Sequence, residues 1–217
     1  MTTEKVKIEI PESMRSQMEF KRKFTLLELY RAFFFVPRAI SRLSKNNKSK
    51  LVDPHFVERL QLSVTEVNGC PACSYQHTKM ALKQGMSNEE ISSFLVGDDN
   101  FIKPEEATAI IFAQHFADLR GFPKKYAFDS IVKEYGEKKA QVILSACQVM
   151  IAGNMYGIPY SAFQSRIKGK PYKDSNLFFE IGMLVLGVLC LPFAIVHGLL
   201  RALIGMANQR FDKSTSE

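Results

Sequence analysis

The sequence predicts an all-α fold, and three observations carry the prediction. Helix-capping signals recur along the chain, and apolar residues follow them at helical spacing. No stretch alternates apolar and polar residues between hairpin turns, as a half-buried strand would. The chain has 217 residues, of which 46% are hydrophobic, and it shows no internal repeat, so we expect one helical bundle with an appended element.

The first two helices are predicted from their starting residues. Thr25 and Glu28 form a capping box that opens an apolar helix, and we expect Pro37 to interrupt that helix. Asp53 and Pro54 provide an N-cap and a first-turn proline for a second helix, along which apolar residues recur at helical spacing.

The later helices follow from the same kinds of signal. A second capping box at Ser87 opens a helix that we expect to end before Gly97. Residues 104–121 are predicted to form another helix, because they begin with Pro-Glu-Glu and end at a glycine. Residues 138–156 are predicted to form a long and largely buried helix, since apolar side chains occupy most of its positions.

Cys70, Cys73 and His77 are predicted to lie on one face of a single helix. Pro71 suits the first turn of that helix, and Gly85 suits its C-terminal end. Both cysteines then lie where unpaired backbone N–H groups and the helix dipole favour an anion, so a thiolate would be stabilised there. His77, one turn beyond Cys73, is suitably positioned to accept or return a proton. The spacing favours a dithiol that attacks a substrate and then closes to a disulfide.

Two other interpretations of this stretch stay open on spacing alone. A structural zinc site usually has four ligands, so the two cysteines and His77 would need a fourth, such as His55 or a glutamate. Alternatively, the cysteines are packed and inert, since free cysteine is often buried, and His77 only satisfies a hydrogen bond. Redox chemistry is the favoured interpretation of the three.

The charge and the cysteine content narrow the function classes. The formal net charge is +7, but the lysines and arginines are scattered over short segments without a recognition helix or an aromatic RNA motif. We therefore expect no nucleic-acid partner. The N-terminal residues contain no apolar run, which disfavours a secretory signal, so we expect a cytoplasmic body with its four cysteines mostly reduced.

One stretch of the sequence runs from Glu58 through Cys70, Cys73 and His77 to Gly85 and continues into Met-Ser-Asn-Glu-Glu-Ile. It resembles the AhpD-like alkylhydroperoxidase branch of the carboxymuconolactone decarboxylase family. The similarity covers roughly residues 50–160. It implies an all-helical thiol-dependent peroxidase or disulfide reductase that needs no cofactor and no metal. It also implies a homo-oligomer (a dimer, trimer or hexamer) whose partners are a peroxide and a thiol or disulfide reductant.

The resemblance also implies a role for each residue of the motif. Cys73 becomes the residue that attacks the peroxide, and Cys70 resolves the resulting sulfenic acid into a disulfide. His77 becomes the proton acceptor, with Glu58 as the outer member of the relay. Glu66 is the alternative relay carboxylate, because it lies one turn before Cys70. On periodicity alone Glu58 is expected to be a solvated surface carboxylate.

The sequence departs from the usual family pattern between the cysteines, where Pro71 and Ala72 stand in place of an aromatic residue or histidine. This leaves a non-catalytic redox-sensing or interaction protein on the same scaffold as the alternative function. Cys147 is expected to be a packing residue and His115 a hydrogen-bonded core histidine. The phenylalanines at 33–35 are expected in the core or in a subunit interface.

The C-terminal region contains a long uncharged segment at residues 181–200. As a helix it would be about 30 Å long, close to the hydrocarbon thickness of a bilayer. We expect membrane contact through this segment, with the body anchored to the inner face, and a helix buried in an oligomer interface is the alternative. The domain organisation is then an N-terminal helical arm at 1–50, an AhpD-like core at 51–165 and a hydrophobic C-terminal helix at 175–208.

Overall fold

The structure, a computed structural model, describes residues 19–212, so part of the predicted N-terminal arm lies outside the described residues. This part of the chain contains α-helices, one short 3-10 helix and no β-strand, which confirms the predicted all-α fold. The α-helices are α1 (Leu26–Ser49), α2 (Pro54–Asn68), α3 (Pro71–Gln84), α4 (Asn88–Val96), α5 (Ala107–Asp118), α6 (Lys125–Ile167) and α7 (Leu177–Leu203). The 3-10 helix, Pro104–Glu106, replaces the first turn of the helix that we predicted for 104–121.

Helix α1 begins at the predicted capping box and continues past its proline. The Glu28 backbone N–H donates to Thr25 Oγ1 at 3.3 Å, and the Thr25 N–H donates to Glu28 Oε2 at 2.7 Å. The expected interruption at Pro37 is wrong, because α1 runs unbroken to Ser49. Phe34 and Phe35 are buried on one side of the proline and Ala39 on the other, and this packing outweighs the loss of one backbone hydrogen bond.

Helices α2 and α3 are joined at Gly69 by a tight reversal of the chain. Gly69 has φ +66°, and its N–H donates to the Thr65 carbonyl at 2.8 Å. A Cβ atom at this position would lie 2.6 Å from the Lys21 backbone nitrogen, so only glycine fits. Cys70, the next residue, is the N-cap of α3, and the turn therefore brings the cysteine pair directly against the end of α2.

Helix α6 is the central element of the bundle. It packs against α1, α2, α3, α5 and α7. The predicted buried helix at 138–156 is contained in it, but α6 extends further in both directions. Gly136, with φ +76° and ψ 157°, breaks the helical conformation near its start, and most of the buried residues of α6 follow this break.

A cluster of ion pairs around the buried Arg59 joins three elements of the bundle. Arg59 of α2 has only 2% of its surface exposed and binds Glu106 through two hydrogen bonds of 2.6 Å. Glu90 contributes a third, from Arg59 Nη1 at 2.9 Å. The carboxylates raise the pKa of Arg59 although its burial opposes this effect. The cluster connects α2 to α4 and to the start of α5.

Helix α7 confirms the predicted C-terminal apolar helix, and it is packed on one side only. It lies against α1 and, less extensively, against α6. Gly198 is at the closest approach, because a Cβ atom there would overlap the Phe34 carbonyl oxygen. The opposite face exposes large apolar side chains, among them Phe178 (90% exposed), Phe193 (71%) and Leu203 (82%).

Two of the described helices are long and apolar enough to cross a membrane, α6 and α7. The most apolar window of α6 is 78% buried within the protein, as is expected for a core helix. The corresponding window of α7 has a mean hydropathy of 2.4 and is only 22% buried. The compatibility of α7 with a membrane therefore rests on its exposed face as well as on its length.

Candidate active site

Cys70 and Cys73 form a disulfide at the start of α3, with their Cα atoms 5.3 Å apart. Cys70 has no exposed surface, and Cys73 is 8% exposed. The Cys73 backbone N–H donates to Cys70 Sγ at 3.3 Å, so the Cys70 side chain caps the helix through its sulfur atom. The structure thus brings together the two predicted redox residues in their oxidised form, at a helix start, where backbone N–H groups and the helix dipole favour an anion.

Two glycines of α6 line the other side of the disulfide. A Cβ atom on Gly157 would lie 2.7 Å from Cys73 Sγ and 2.8 Å from Cys70 Sγ, which is closer than such atoms can approach. Gly153, one turn earlier, has its carbonyl oxygen 3.6 Å from Cys73 Sγ. The sulfur atoms therefore rest on bare helix backbone. Sequence reasoning missed both residues, although two glycines four apart in a buried helix are a signal of close approach.

Ser161 of α6 holds the first turn of α3 in place. Its Oγ accepts a hydrogen bond of 3.0 Å from the Ala72 backbone N–H and donates one of 2.7 Å to the Gly157 carbonyl. One of the four N–H groups that a helix start leaves unpaired is satisfied in this way. This residue also went unrecognised in the sequence, because a serine in a long helix carries no distinguishing signal.

Glu58 and His77 form a hydrogen-bonded pair next to the disulfide. His77 Nδ1 and Glu58 Oε1 are 2.6 Å apart, and the side chains are 15% and 3% exposed. The expectation that Glu58 is a solvated carboxylate is wrong, since the residue is only 2% exposed. Helix α2 packs against α3, α5 and α6 at once, so its buried surface is wider than the apolar stripe from which the expectation came.

Glu66, the alternative relay carboxylate, has a different partner. Its Oε1 lies 2.5 Å from Lys21 Nζ, and its carboxylate also faces Gly97 at the end of α4. The structure therefore pairs His77 with Glu58 and pairs Glu66 with a lysine.

Two other histidines and one other cysteine that the sequence analysis considered have partners or surroundings of their own, separate from the Glu58–His77 pair. His55 Nε2 donates to the Gln84 carbonyl at 2.8 Å, so it is engaged at the far end of α3. His115 Nε2 accepts from the Lys124 N–H at 3.1 Å, and burial lowers its pKa. Cys147 is a free, fully buried thiol whose pKa is raised by burial. Between residues 19 and 212 no group of three or more His, Cys, Asp or Glu side chains is arranged to hold a metal ion.

A buried polar chain fixes α2 against α6 immediately before the disulfide. Asn68 Nδ2 donates to Asn154 Oδ1 at 2.9 Å, and Asn154 Nδ2 donates to Thr65 Oγ1 at 3.3 Å. All three residues are fully buried. Because Asn154 follows Gly153 directly, these hydrogen bonds also hold the Gly153 backbone in position next to the sulfur atoms.

The fold and the site together define a class of protein: an all-helical protein with a Cys-x-x-Cys disulfide at a helix start and a hydrogen-bonded Glu–His pair, with its glutamate buried, one turn further along. The family model of the carboxymuconolactone decarboxylase family matches residues 36–114, and the predicted resemblance to this family is confirmed for that part of the chain. The matched region contains Glu58, Cys70, Cys73 and His77, and it ends before α6 and α7. The match does not distinguish the AhpD-like branch, and neither a curated protein nor a solved structure matches the chain.

Proposed function

We propose that this protein is a thiol-dependent hydroperoxide reductase. The observation that carries the proposal is the pair formed by buried Glu58 and partly buried His77, whose histidine lies one turn after Cys73 in the same helix. Because Glu58 holds Nδ1 of the imidazole, Nε2 is the nitrogen left to exchange a proton with a thiol or with a leaving group. A structural disulfide would not need such a pair beside it.

The reaction begins with the reduced protein. The Cys73 thiol gives its proton to His77, and the thiolate attacks the terminal oxygen of a hydroperoxide. A sulfur–oxygen bond forms, the oxygen–oxygen bond breaks, and the leaving alkoxide takes the proton back from His77 as an alcohol. Cys73 is then a sulfenic acid.

The second half of the reaction closes the disulfide. The Cys70 thiol attacks Cys73 Sγ, a sulfur–sulfur bond forms, and the sulfenic oxygen leaves as water. An external dithiol supplies two electrons and two protons to reopen the disulfide for the next cycle. The same exchange with an external disulfide in place of the peroxide would make the protein a disulfide reductase.

Peroxide consumption by full-length protein in the presence of excess dithiol tests the proposal. Wild-type protein should turn over many times, and Cys73→Ser should not. Cys70→Ser should instead accumulate a sulfenic acid on Cys73 that a dimedone-type reagent traps. Cys147→Ser is the matched control, because that thiol is buried elsewhere, and it should keep normal turnover. Wild-type protein that oxidises once but never cycles would support a redox sensor and contradict the proposal.

We also propose that α7 attaches a cytoplasmic body to the membrane. Its exposed apolar face supports this placement, and α1 covers the other face. Replacing Leu189, Phe193 and Val196 together by Glu puts charges on three exposed positions without touching the packed face. The wild-type chain should stay with membranes after carbonate washing and the triple variant should be released. A wild-type chain that is soluble without detergent would instead indicate that α7 lies in an oligomer interface.

A further inference from the structure

An apolar cleft of about 590 Å³ lies beside the disulfide, between α1, α6 and α7. Its walls are Phe33 and Val36 of α1, one face of α6 from 149 to 160, and Gly187, Val188 and Leu191 of α7. Among residues 19–212, no charged side chain lines it, and the side-chain polar groups in its walls are the hydroxyls of two tyrosines. Its volume is in the range of small-molecule sites, and its lining suits a hydrocarbon.

The cleft and the sulfur atoms share the same two residues of α6. Gly153 and Gly157 line the cleft, and both also lie against the disulfide, as described above. Gly153 is exposed, and a Cβ atom there would meet nothing within 4 Å. Neither glycine has a side chain, so at these two positions of α6 only helix backbone stands between the cleft and Cys73. The glycine backbone is thus the part of the cleft wall that lies against the sulfur atoms.

We propose that the cleft binds the alkyl chain of a long, unbranched hydroperoxide, whose –OOH group reaches Cys73 across Gly153 and Gly157. The inference rests on the proposed function and specifies its substrate class; the bonds made and broken are those given above. One wall of the cleft comes from α7, which lies outside the part of the chain that matches the family model. The site is therefore a feature of this chain and not of the matched region.

The lining explains why a long chain would be selected. Each methylene group moved from water into an apolar site strengthens binding up to about fourfold, so a chain that fills the cleft gains with its length. Hydrogen peroxide has no group to place there and gains nothing. The cleft also borders the exposed apolar side of α7, so its mouth lies beside the surface that we propose to contact the membrane, where acyl chains are concentrated.

The test is a series of straight-chain alkyl hydroperoxides of increasing length, with hydrogen peroxide as the reference without a chain. For full-length wild-type protein with excess dithiol, we expect KM to fall with each added methylene, by up to about fourfold, until the cleft is filled. The value of kcat should stay nearly constant, because the chain binds equally before and during the reaction at the sulfur.

Two tryptophan variants of α7 provide a matched pair. Val188 lines the cleft and Leu189 does not, and they are equally exposed at 57% and 58%. Val188→Trp should lower kcat/KM for the longest hydroperoxide by about tenfold or more, the effect of excluding roughly two methylene groups, with hydrogen peroxide unaffected. Leu189→Trp should behave like the wild type with every substrate.

The outcomes separate this inference from the proposed function. Peroxide reduction that does not depend on chain length would overturn the cleft assignment and leave the reductase intact. If no hydroperoxide is reduced, the proposed reductase activity is refuted, and the cleft is then tested by calorimetry of straight-chain alcohols binding to the oxidised protein. An affinity that rises with chain length supports the cleft assignment. The absence of binding refutes it. Val188→Trp that lowers all rates equally and changes the oligomeric state would identify the cleft as an interface between copies.

Discussion

Replacing Gly157 by Ala measures how tightly α6 is packed against the disulfide. The added Cβ would lie 2.7 and 2.8 Å from the two sulfur atoms, so helix and disulfide must move apart. Overpacking of this kind costs about 1–3 kcal/mol of folding free energy. The same substitution in a helix interior gains about 1 kcal/mol from helix propensity. The two effects partly cancel, so the variant alone would be hard to interpret.

Gly153→Ala removes this ambiguity. It lies one turn earlier in α6 and has the same propensity gain, but its Cβ would meet nothing within 4 Å. The difference between the two variants therefore isolates the steric cost. We expect the free energy of unfolding of the oxidised protein, measured by urea denaturation in one detergent, to be lower for Gly157→Ala than for Gly153→Ala by about 1–3 kcal/mol.

Reduction of the disulfide should shrink this difference, because separate thiols can rotate away from the added methyl group. Gly157→Ala should consequently make the disulfide easier to reduce than in the wild type, whereas Gly153→Ala should not. Equal stability of the two oxidised variants would refute the packing of the sulfur atoms on Gly157, and with it the route from the cleft to Cys73.

Three further predictions concern other residues. His77→Ala should slow peroxide reduction about a hundredfold at neutral pH. The loss should be smaller above the free-thiol pKa of about 8.5, where Cys73 ionises unaided; a loss independent of pH would indicate a structural role. Glu106→Gln should lower the free energy of unfolding by about 3–5 kcal/mol, because Arg59 is left partly unpaired, and a loss under about 1 kcal/mol would contradict this. Cys147 should resist alkylation in native protein. Because burial raises its pKa, the proton is lost only on unfolding, so stability should fall above pH ~8.5 and less so in Cys147→Ala.

The sequence predicted those parts of the fold that depend on local chemistry. The starts of α1, α2 and α4 follow from hydrogen-bonding side chains close in sequence, at Thr25, Asp53 and Ser87. The placement of Cys70, Cys73 and His77 in one helix follows equally from a first-turn proline and a terminal glycine. Local signals could not predict that α1 continues through Pro37, since the tertiary packing of α1 decides this.

The parts of the site that sequence reasoning missed are contributed by distant elements. Glu58 was expected to be solvated because a periodic apolar stripe defines one buried face, whereas α2 is enclosed by several helices. Gly153, Gly157 and Ser161 lie far along the chain from the cysteines (Gly153 is 80 residues after Cys73), and their contacts with the first turn of α3 arise only when α6 packs against α3. The spacing of apolar residues along one helix contains no information about which other helix packs against it.

The segments on either side of the family match have a role that the match alone does not suggest. The matched region holds the residues proposed for the chemistry, and α6 and α7 lie outside it. Helix α7 packs on α1 through glycine contacts at Gly187 and Gly198, and this packing leaves the cleft open above the glycines of α6. Chemistry and selectivity would then depend on different parts of the chain. A change in the α7 wall should alter which hydroperoxide is bound without altering how the oxygen–oxygen bond is broken.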